Sequence, residues 1–373
     1  MPNGFVPTAR RAANNLFGAT DLAAQRAFFT PRHAFAPTPL HRCPGLAREL
    51  GIGELLVKDE TARYGLNAFK AVGAAFAIAT LCDRGSIKRG DVLVCASEGN
   101  HGRAVARVAR EAGCRARVYM ARTVAAARVA AIESEDAEVI LVDGSYDDAV
   151  RVMAREAGEH GWTVISDTSW PGYSEIPRLI MLGYTRLMDE DWSPASGAAA
   201  LQSGRPDVIF VPAGVGGLLA AVACWCDVQY GNDRPRVVAV EPLSAACVQA
   251  SARHGRPTTL TGPFDTTMGG LRCGEMSPDV FPVVDTLVDA FVAIEDDVAF
   301  ESMRRLARPA GHDPAVICGP SGAAALGGLI ATLHHPALSE VRQRLALDAS
   351  SRVEVLVTEG ATDPALIEQV LAR

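Results

Sequence analysis

The feature that most narrows the folds open to this chain is a series of short, almost unbroken apolar runs: ELLVKDE, DVLVCAS, RARVYMA, EVILVDG, TVISD, DVIFVPAG, RVVAVEP and EVLVTEG. They are rich in Val, Ile and Leu and lack the alternation of a strand with one wet face, so they read as strands buried on both faces. Between most of them lie stretches with helical spacing, such as AFKAVGAAFAIATLCDRG and HGRAVARVAREAG. Strands of that kind separated by helices define an α/β protein whose mostly parallel sheets are flanked by helices. At 373 residues the chain exceeds the usual size of one domain, and two domains sharing an interface are expected. The opening forty residues show no clear period and read as an irregular arm ending in the turn-like TPLHRCP around Pro39. SPASGAAALQSGR, which ends at Arg205, is poor in large apolar residues and reads as a surface connection before a new strand.

Composition removes several classes of function. A balance of 49% hydrophobic and 21% charged residues is that of an ordinary globular protein. The net charge is -7 and the arginines are scattered, so the basic footprint of a nucleic-acid binder is absent. No apolar run approaches the roughly 18 residues of a membrane span, and MPNGFVPTARRAANN has no apolar centre of signal-peptide length. The expectation is a cytoplasmic protein with a small-molecule partner. Nine irregularly spaced cysteines without a CxxC pair argue against a disulfide framework and against a zinc site.

Four segments carry residues capable of chemistry. In NAFK, Lys70 opens the small-residue helix AVGAAFAIA. It reads either as a snorkelling surface lysine or as an amine whose charge is disfavoured by the positive end of the helix dipole, which a Schiff-base lysine requires. SEGNHG runs from strand to helix, bringing Ser97 and backbone N–H groups toward one point with the carboxylate of Glu98 beside them; the plainer reading is a turn with Asn100 as helix cap and His101 in the first turn. VPAGVGGLLAAVACW leads a strand through Gly214, Val215, Gly216 and Gly217 into a helix whose free amides suit a phosphate. The same glycines, followed by RVVAVE ending at Glu241, also resemble a dinucleotide fingerprint with its ribose-binding acid. Thr358 in EVLVTEGATD ends the last strand, a commonplace position for a threonine unless it faces a ligand.

Taken in order, a lysine on a small-residue helix, a Ser-x-Gly-Asn turn, a glycine-rich cradle and a strand-end hydroxyl resemble the fold-type-II pyridoxal-phosphate enzymes, from about Thr38 to Asp363. YGLNAFKAVG, SEGNHGRAVA, SDTSWPGY with IPRLIMLGY, MGGLRCGEMSP, GPSGAAALGGL and VTEGATD are, more closely, similar to the diaminopropionate ammonia-lyases. The resemblance implies pyridoxal 5'-phosphate held as an imine by Lys70, with Asn100 on its phenolic oxygen, Gly214, Val215, Gly216 and Gly217 around its phosphate, and Thr358 facing its ring nitrogen. A hydroxyl there weakens the ring as an electron sink and favours elimination. Ser97 and nearby amides would take the substrate carboxylate. Glu98 and Asp167 are the acids the resemblance places at the substrate; Asp167 reads equally as a cap for the turn DTSW.

The implied reaction is α,β-elimination of 2,3-diaminopropionate to pyruvate and ammonia. Two departures keep a related substrate of the serine, threonine or hydroxyaspartate type open: the family carries aspartate where Glu98 stands and usually glutamate where Pro320 stands. A non-catalytic cofactor-binding homologue and a dinucleotide-dependent oxidoreductase are the alternatives from other classes. By family analogy a larger domain of residues 1–69 and 190–373 would enclose a smaller inserted one of 70–189, and the enzyme would be a homodimer. Cys247 and Cys273 border the expected cleft and form a candidate oxidised pair.

Overall fold

In the computed structural model, residues 1–7, 15–32, 35–97, 99–144, 146–196 and 204–373 are described. Among the described residues eleven strands make two sheets: β1 Asn3–Phe5, β2 Leu40–Arg42, β3 Glu54–Asp59, β4 Val92–Ala96, β5 Arg115–Ala121, β6 Glu138–Val142, β7 Thr163–Val164, β8 Val208–Pro212, β9 Arg236–Pro242, β10 Ala290–Ile294 and β11 Arg352–Val357. The larger sheet has the order β1-β10-β9-β8-β11-β3-β2 and the smaller one β6-β5-β4-β7. All pairings in the smaller sheet are parallel, and in the larger only the edge strands β1 and β2 run antiparallel. Val355 sits on an inner strand of the larger sheet, level with Phe210 on one side and Val57 on the other. All three are fully buried. The eight runs legible in the sequence each overlap one strand, and helices alternate with most of them, as expected for parallel sheets.

The opening segment departs from the expected irregular arm. Asn3–Phe5 adds an antiparallel edge to β10, and Ala19–Phe29 forms a helix that buries Leu22, Gln25 and Phe29. Three residues are too few to show a period, and a helix with one narrow apolar stripe amid alanines gives a weak one. TPLHRCP is likewise not only a turn, because Leu40–Arg42 pairs with β3. Of the surface connection, residues 197–203 lie outside the described residues.

The helix Lys70–Asp83 lies against Glu175–Tyr184 through facing glycines. A Cβ on Gly73 would stand 2.3 Å from Tyr184 Cε1, and one on Gly183 would stand 2.6 Å from the Val72 carbonyl oxygen. This explains the small residues of AVGAAFAIA: the close approach fixes the helix that begins with Lys70.

Beneath the larger sheet is a buried ionic network. Lys58 Nζ, fully buried, reaches Glu190 Oε1 at 2.5 Å and Asp191 Oδ2 at 2.6 Å. Arg63 joins Glu60 at 2.7 Å and Glu190 at 2.6 Å, which ties the turn after β3 to the helix Arg186–Trp192. Glu354 of β11 accepts Trp192 Nε1 at 2.8 Å, and its other oxygen is buried without a hydrogen-bond partner. Burial pushes the Glu354 carboxyl up to about 8, with Asp191 adding to the effect and Lys58 opposing it. The unfolded chain would release that proton near pH 4.3. Between about pH 4.3 and about pH 8 the folded state therefore holds the extra proton, and this group's contribution to stability falls as pH rises through that window. Glu354→Gln should accordingly melt close to the parent at pH 5 and a few degrees above it at pH 8; a gain confined to the acidic end would contradict this.

Candidate active site

Lys70, Ser97, Asn100, Asp167, the Gly214–Gly217 turn and Thr358 all follow the C-terminal ends of parallel strands or pack against them, the end of an open α/β sheet where ligands are held. The turn before Lys70 is stapled to the end of β11. Phe69 N–H donates to the Thr358 carbonyl at 3.2 Å, Gly360 N–H donates to the Asn67 carbonyl at 2.9 Å, and Ala68 bridges Glu359.

Lys70 Nζ donates to Asp167 Oδ2 at 2.6 Å, beside the rings of Phe69 and Tyr184. Burial acts to lower the Lys70 pKa, but the Asp167 carboxylate outweighs it and the ammonium is favoured. The weakening of charge expected from the helix N-terminus is thus overridden by a close ion pair. For Asp167, burial works upward, yet His101 and Lys70 hold its carboxyl well below the usual range. It is therefore an ion-paired carboxylate in the site, and the amide of Thr168 is taken by Ser166 Oγ instead. His101 is buried in the first turn of the helix Asn100–Glu111; Nε2 lies 2.8 Å from the Ile165 carbonyl, and Nδ1 faces Asp167 Oδ2 at 3.7 Å.

Ser97 and Asn100 have partners the sequence did not disclose. Ser97 Oγ accepts the amides of Gly99 at 3.0 Å and Gly102 at 2.9 Å, so its hydroxyl closes the turn and caps the helix from outside. Asn100 is not the cap: it occupies the first helical position, and its Nδ2 donates to Glu359 Oε2 at 2.7 Å. Glu98 lies outside the described residues.

Gly216 has φ +92° and is followed directly by the helix Gly217–Tyr230, which has no side-chain cap. A Cβ on Gly216 would stand 2.8 Å from Val280 Cγ1. The turn is held from behind, since Val215 O accepts Ser277 N–H at 2.9 Å. Ser277 Oγ accepts Ser169 N–H at 2.9 Å, which joins the turn after Asp167 to the glycine turn. Sequence reading missed Ser169, Ser277 and Glu359, although all three lie inside the motifs that carried the resemblance.

The dinucleotide reading fails here. Glu241 is fully buried and accepts the amides of Val248 at 2.7 Å and Gln249 at 2.8 Å, so it caps the next helix and cannot reach a ribose. Burial pushes its carboxyl up to about 8. Cys247 Sγ lies against the Gly214 carbonyl at 3.7 Å, and a Cβ on Gly214 would stand 3.2 Å from Cys273 Sγ. The two cysteines flank one glycine but are present as thiols, not joined to each other.

An uncapped helix N-terminus behind a glycine turn suits a phosphate, and an amine paired to a carboxylate suits an aldehyde; the site fits pyridoxal 5'-phosphate. The chain belongs to the family of pyridoxal-phosphate dependent enzymes, whose pattern matches residues 32–357. Within that family its relatives include diaminopropionate ammonia-lyases. It is 36% identical to that of Escherichia coli K12 over 363 residues, 93% of this chain and 90% of the relative. It is 35% identical to that of Salmonella typhimurium LT2 over 90% of this chain and 88% of the relative. The crystal structure of the Escherichia coli enzyme with an aminoacrylate-PLP azomethine reaction intermediate superposes with a TM-score of 0.91 at 34% identity, covering 100% of this chain and 97% of that one.

Gly216→Ala should cost about 1–3 kcal/mol through strain at positive φ, seen in urea unfolding, and should reduce the pyridoxal 5'-phosphate retained after desalting. Parental retention would show that the phosphate is held elsewhere.

Proposed function

We propose that this protein catalyses α,β-elimination of 2,3-diaminopropionate, which with one water yields pyruvate and two ammonia molecules. The observation that carries the reading is the Lys70–Asp167 pair at the strand ends, in a chain similar over most of its length to diaminopropionate ammonia-lyases. Bound pyridoxal 5'-phosphate supplies the electron sink for the carbanion left when the α-proton departs.

Lys70 Nζ would be the amine that holds the cofactor and would move the α-proton. Asp167 Oδ2, 2.6 Å from Nζ, would hold and orient that amine and be the second acid at the substrate. The amides of Gly214, Val215, Gly216 and Gly217 would hold the phosphate, Asn100 would donate to the phenolic oxygen, and the Thr358 hydroxyl would serve the ring nitrogen without fixing a proton there. Ser97, with its lone pairs engaged by two amides, has its O–H left to donate to the substrate carboxylate. Glu98 is assigned, from its place in SEGNHG, to the second amine or to the α-proton on the face away from Lys70.

The division into residues 1–69 with 190–373 and 70–189 is supported by the two sheets, whose strands fall within those ranges. A cytoplasmic setting accords with nine cysteines present as thiols, and no described helix is long and apolar enough to cross a membrane. A homodimer is proposed by family analogy alone.

The test is a screen of both enantiomers of diaminopropionate, serine and threonine for keto-acid and ammonia release. Diaminopropionate should be the best substrate, with two ammonia per pyruvate. Lys70→Ala should fold, lack the cofactor's near-visible absorbance and lose turnover of every substrate; full activity in that variant would end the proposal.

Thr358→Asp should place a proton on the ring nitrogen and slow elimination by about tenfold or more, a barrier change of about 1.4 kcal/mol. An unchanged rate and spectrum would return Thr358 to the role of an ordinary strand end.

A further inference from the structure

Glu359 follows Thr358 and is 4% exposed, and its surroundings are built around its carboxylate. Oε2 accepts Asn100 Nδ2 at 2.7 Å. Burial pushes the Glu359 carboxyl up, while Arg128, on the helix Ala126–Glu133, together with Asn100 and Ser321, acts to keep it charged. Ser321 Oγ in turn accepts Gly270 N–H at 3.0 Å, so the receptor for Glu359 is itself held. The GPSGA segment is shaped to admit this residue. A Cβ on Gly319 would stand 2.8 Å from Glu359 Oε1, and one on Gly322 would stand 2.4 Å from the Glu359 carbonyl oxygen. Every partner is a donor or a cation, the set that an ionised carboxylate accepts from.

A carboxylate that accepts from Asn100 decides which way the Asn100 amide points. An asparagine side chain can present either N–H or C=O to a neighbour, and the two ends are chemically opposite. With Oε2 of Glu359 on one side, the NH2 group is drawn toward it, and its second N–H is available to a further acceptor. We propose that Glu359 is a positioning residue: it fixes Asn100 so that N–H, and not C=O, faces the cofactor's phenolic oxygen and favours its deprotonated form. This rests on the function proposed above, in which Asn100 meets that oxygen. The contact also joins the two sheets, because Asn100 follows β4 and Glu359 follows β11.

The charged and titratable groups around Glu359 are Arg128 and the Cys318 thiol, with Lys70, Asp167 and His101 elsewhere in the site. The experiment is a pH titration of the cofactor's visible absorbance in the full-length, cofactor-loaded protein, for the parent, Asn100→Ala, Glu359→Gln and the double variant. Glu359→Gln lets the Ser321 donors and the new amide compete and frees Asn100 to turn over. The midpoint should move up by about one pH unit, the scale of a hydrogen bond to the charged form. Asn100→Ala should do the same, and the double variant should go no further than Asn100→Ala alone, since both act through one contact. A parental midpoint in Glu359→Gln alongside a shifted one in Asn100→Ala, or fully additive shifts, would overturn the proposal while leaving the cofactor assignment standing. A parent with no visible cofactor band would overturn the function and this inference together. Should Glu359→Gln fail to fold, Glu359→Asp keeps the charge and withdraws it by one methylene. The same upward shift is expected there, and a parental midpoint overturns the proposal.

Discussion

The site depends on a backbone pairing of two very short segments. Phe69 donates its N–H to the Thr358 carbonyl, Gly360 donates to the Asn67 carbonyl, and Ala68 bridges Glu359 between them. Because backbone hydrogen bonds allow little freedom in register, this bridge fixes Lys70, the next residue along, against the end of the last strand. The helix that Lys70 opens is then fixed at its other face by Gly73 against Tyr184 and Ile180. Neither contact is catalytic. Together they let a long, flexible lysine side chain meet Asp167 at 2.6 Å.

Three acids withdrawn from water, Asp167 largely and Glu241 and Glu354 fully, have opposite fates, and the partners decide. Asp167 faces Lys70 and His101, and its carboxyl falls below the usual range against the pull of burial. Glu241 accepts two amides but faces no cation, and it rises to about 8. Glu354, with Trp192 on one oxygen and Asp191 nearby, rises to about 8 as well. Amide donors stabilise a carboxylate less than a close positive charge does when both are out of water. Of these three, the one held ionised by a close positive charge is the one beside Lys70.

Much of this was legible in the sequence because it was encoded locally. A parallel strand buried on both faces announces itself as an apolar run, and DVIFVPAG became β8 with every residue of Val208–Pro212 buried. The glycine turn at Gly216 showed for the same reason, since its positive φ demands one residue type. What escaped was set by distant partners. AFVAI became β10 because β9 and β1 flank it, while its alanines dilute the apolar signal. Asn100 reads as a cap from its neighbours alone, yet its amide goes to a residue 259 positions away. Glu241 stands where a ribose-binding acid would, and only the fold of Cys247–His254 back over it shows that its carboxylate is already used.

The contacts that complete the site cross between the two sheets. Asp167 follows β7 of the smaller sheet and Asn100 follows β4, whereas Glu359, Ser277 and the glycine turn belong to segments associated with the larger one. Asn100 meets Glu359 at 2.7 Å and Ser169 meets Ser277 at 2.9 Å. Each is a polar contact between buried or half-buried groups, and separating the sheets would leave donors and acceptors on both sides to find water. The geometry around Lys70 and Asp167 and the packing of the two sheets are therefore one structural state. A substitution that loosens either of these crossing contacts acts on both together, so residues such as Ser277 that touch no reacting atom still govern where the acid stands relative to the amine.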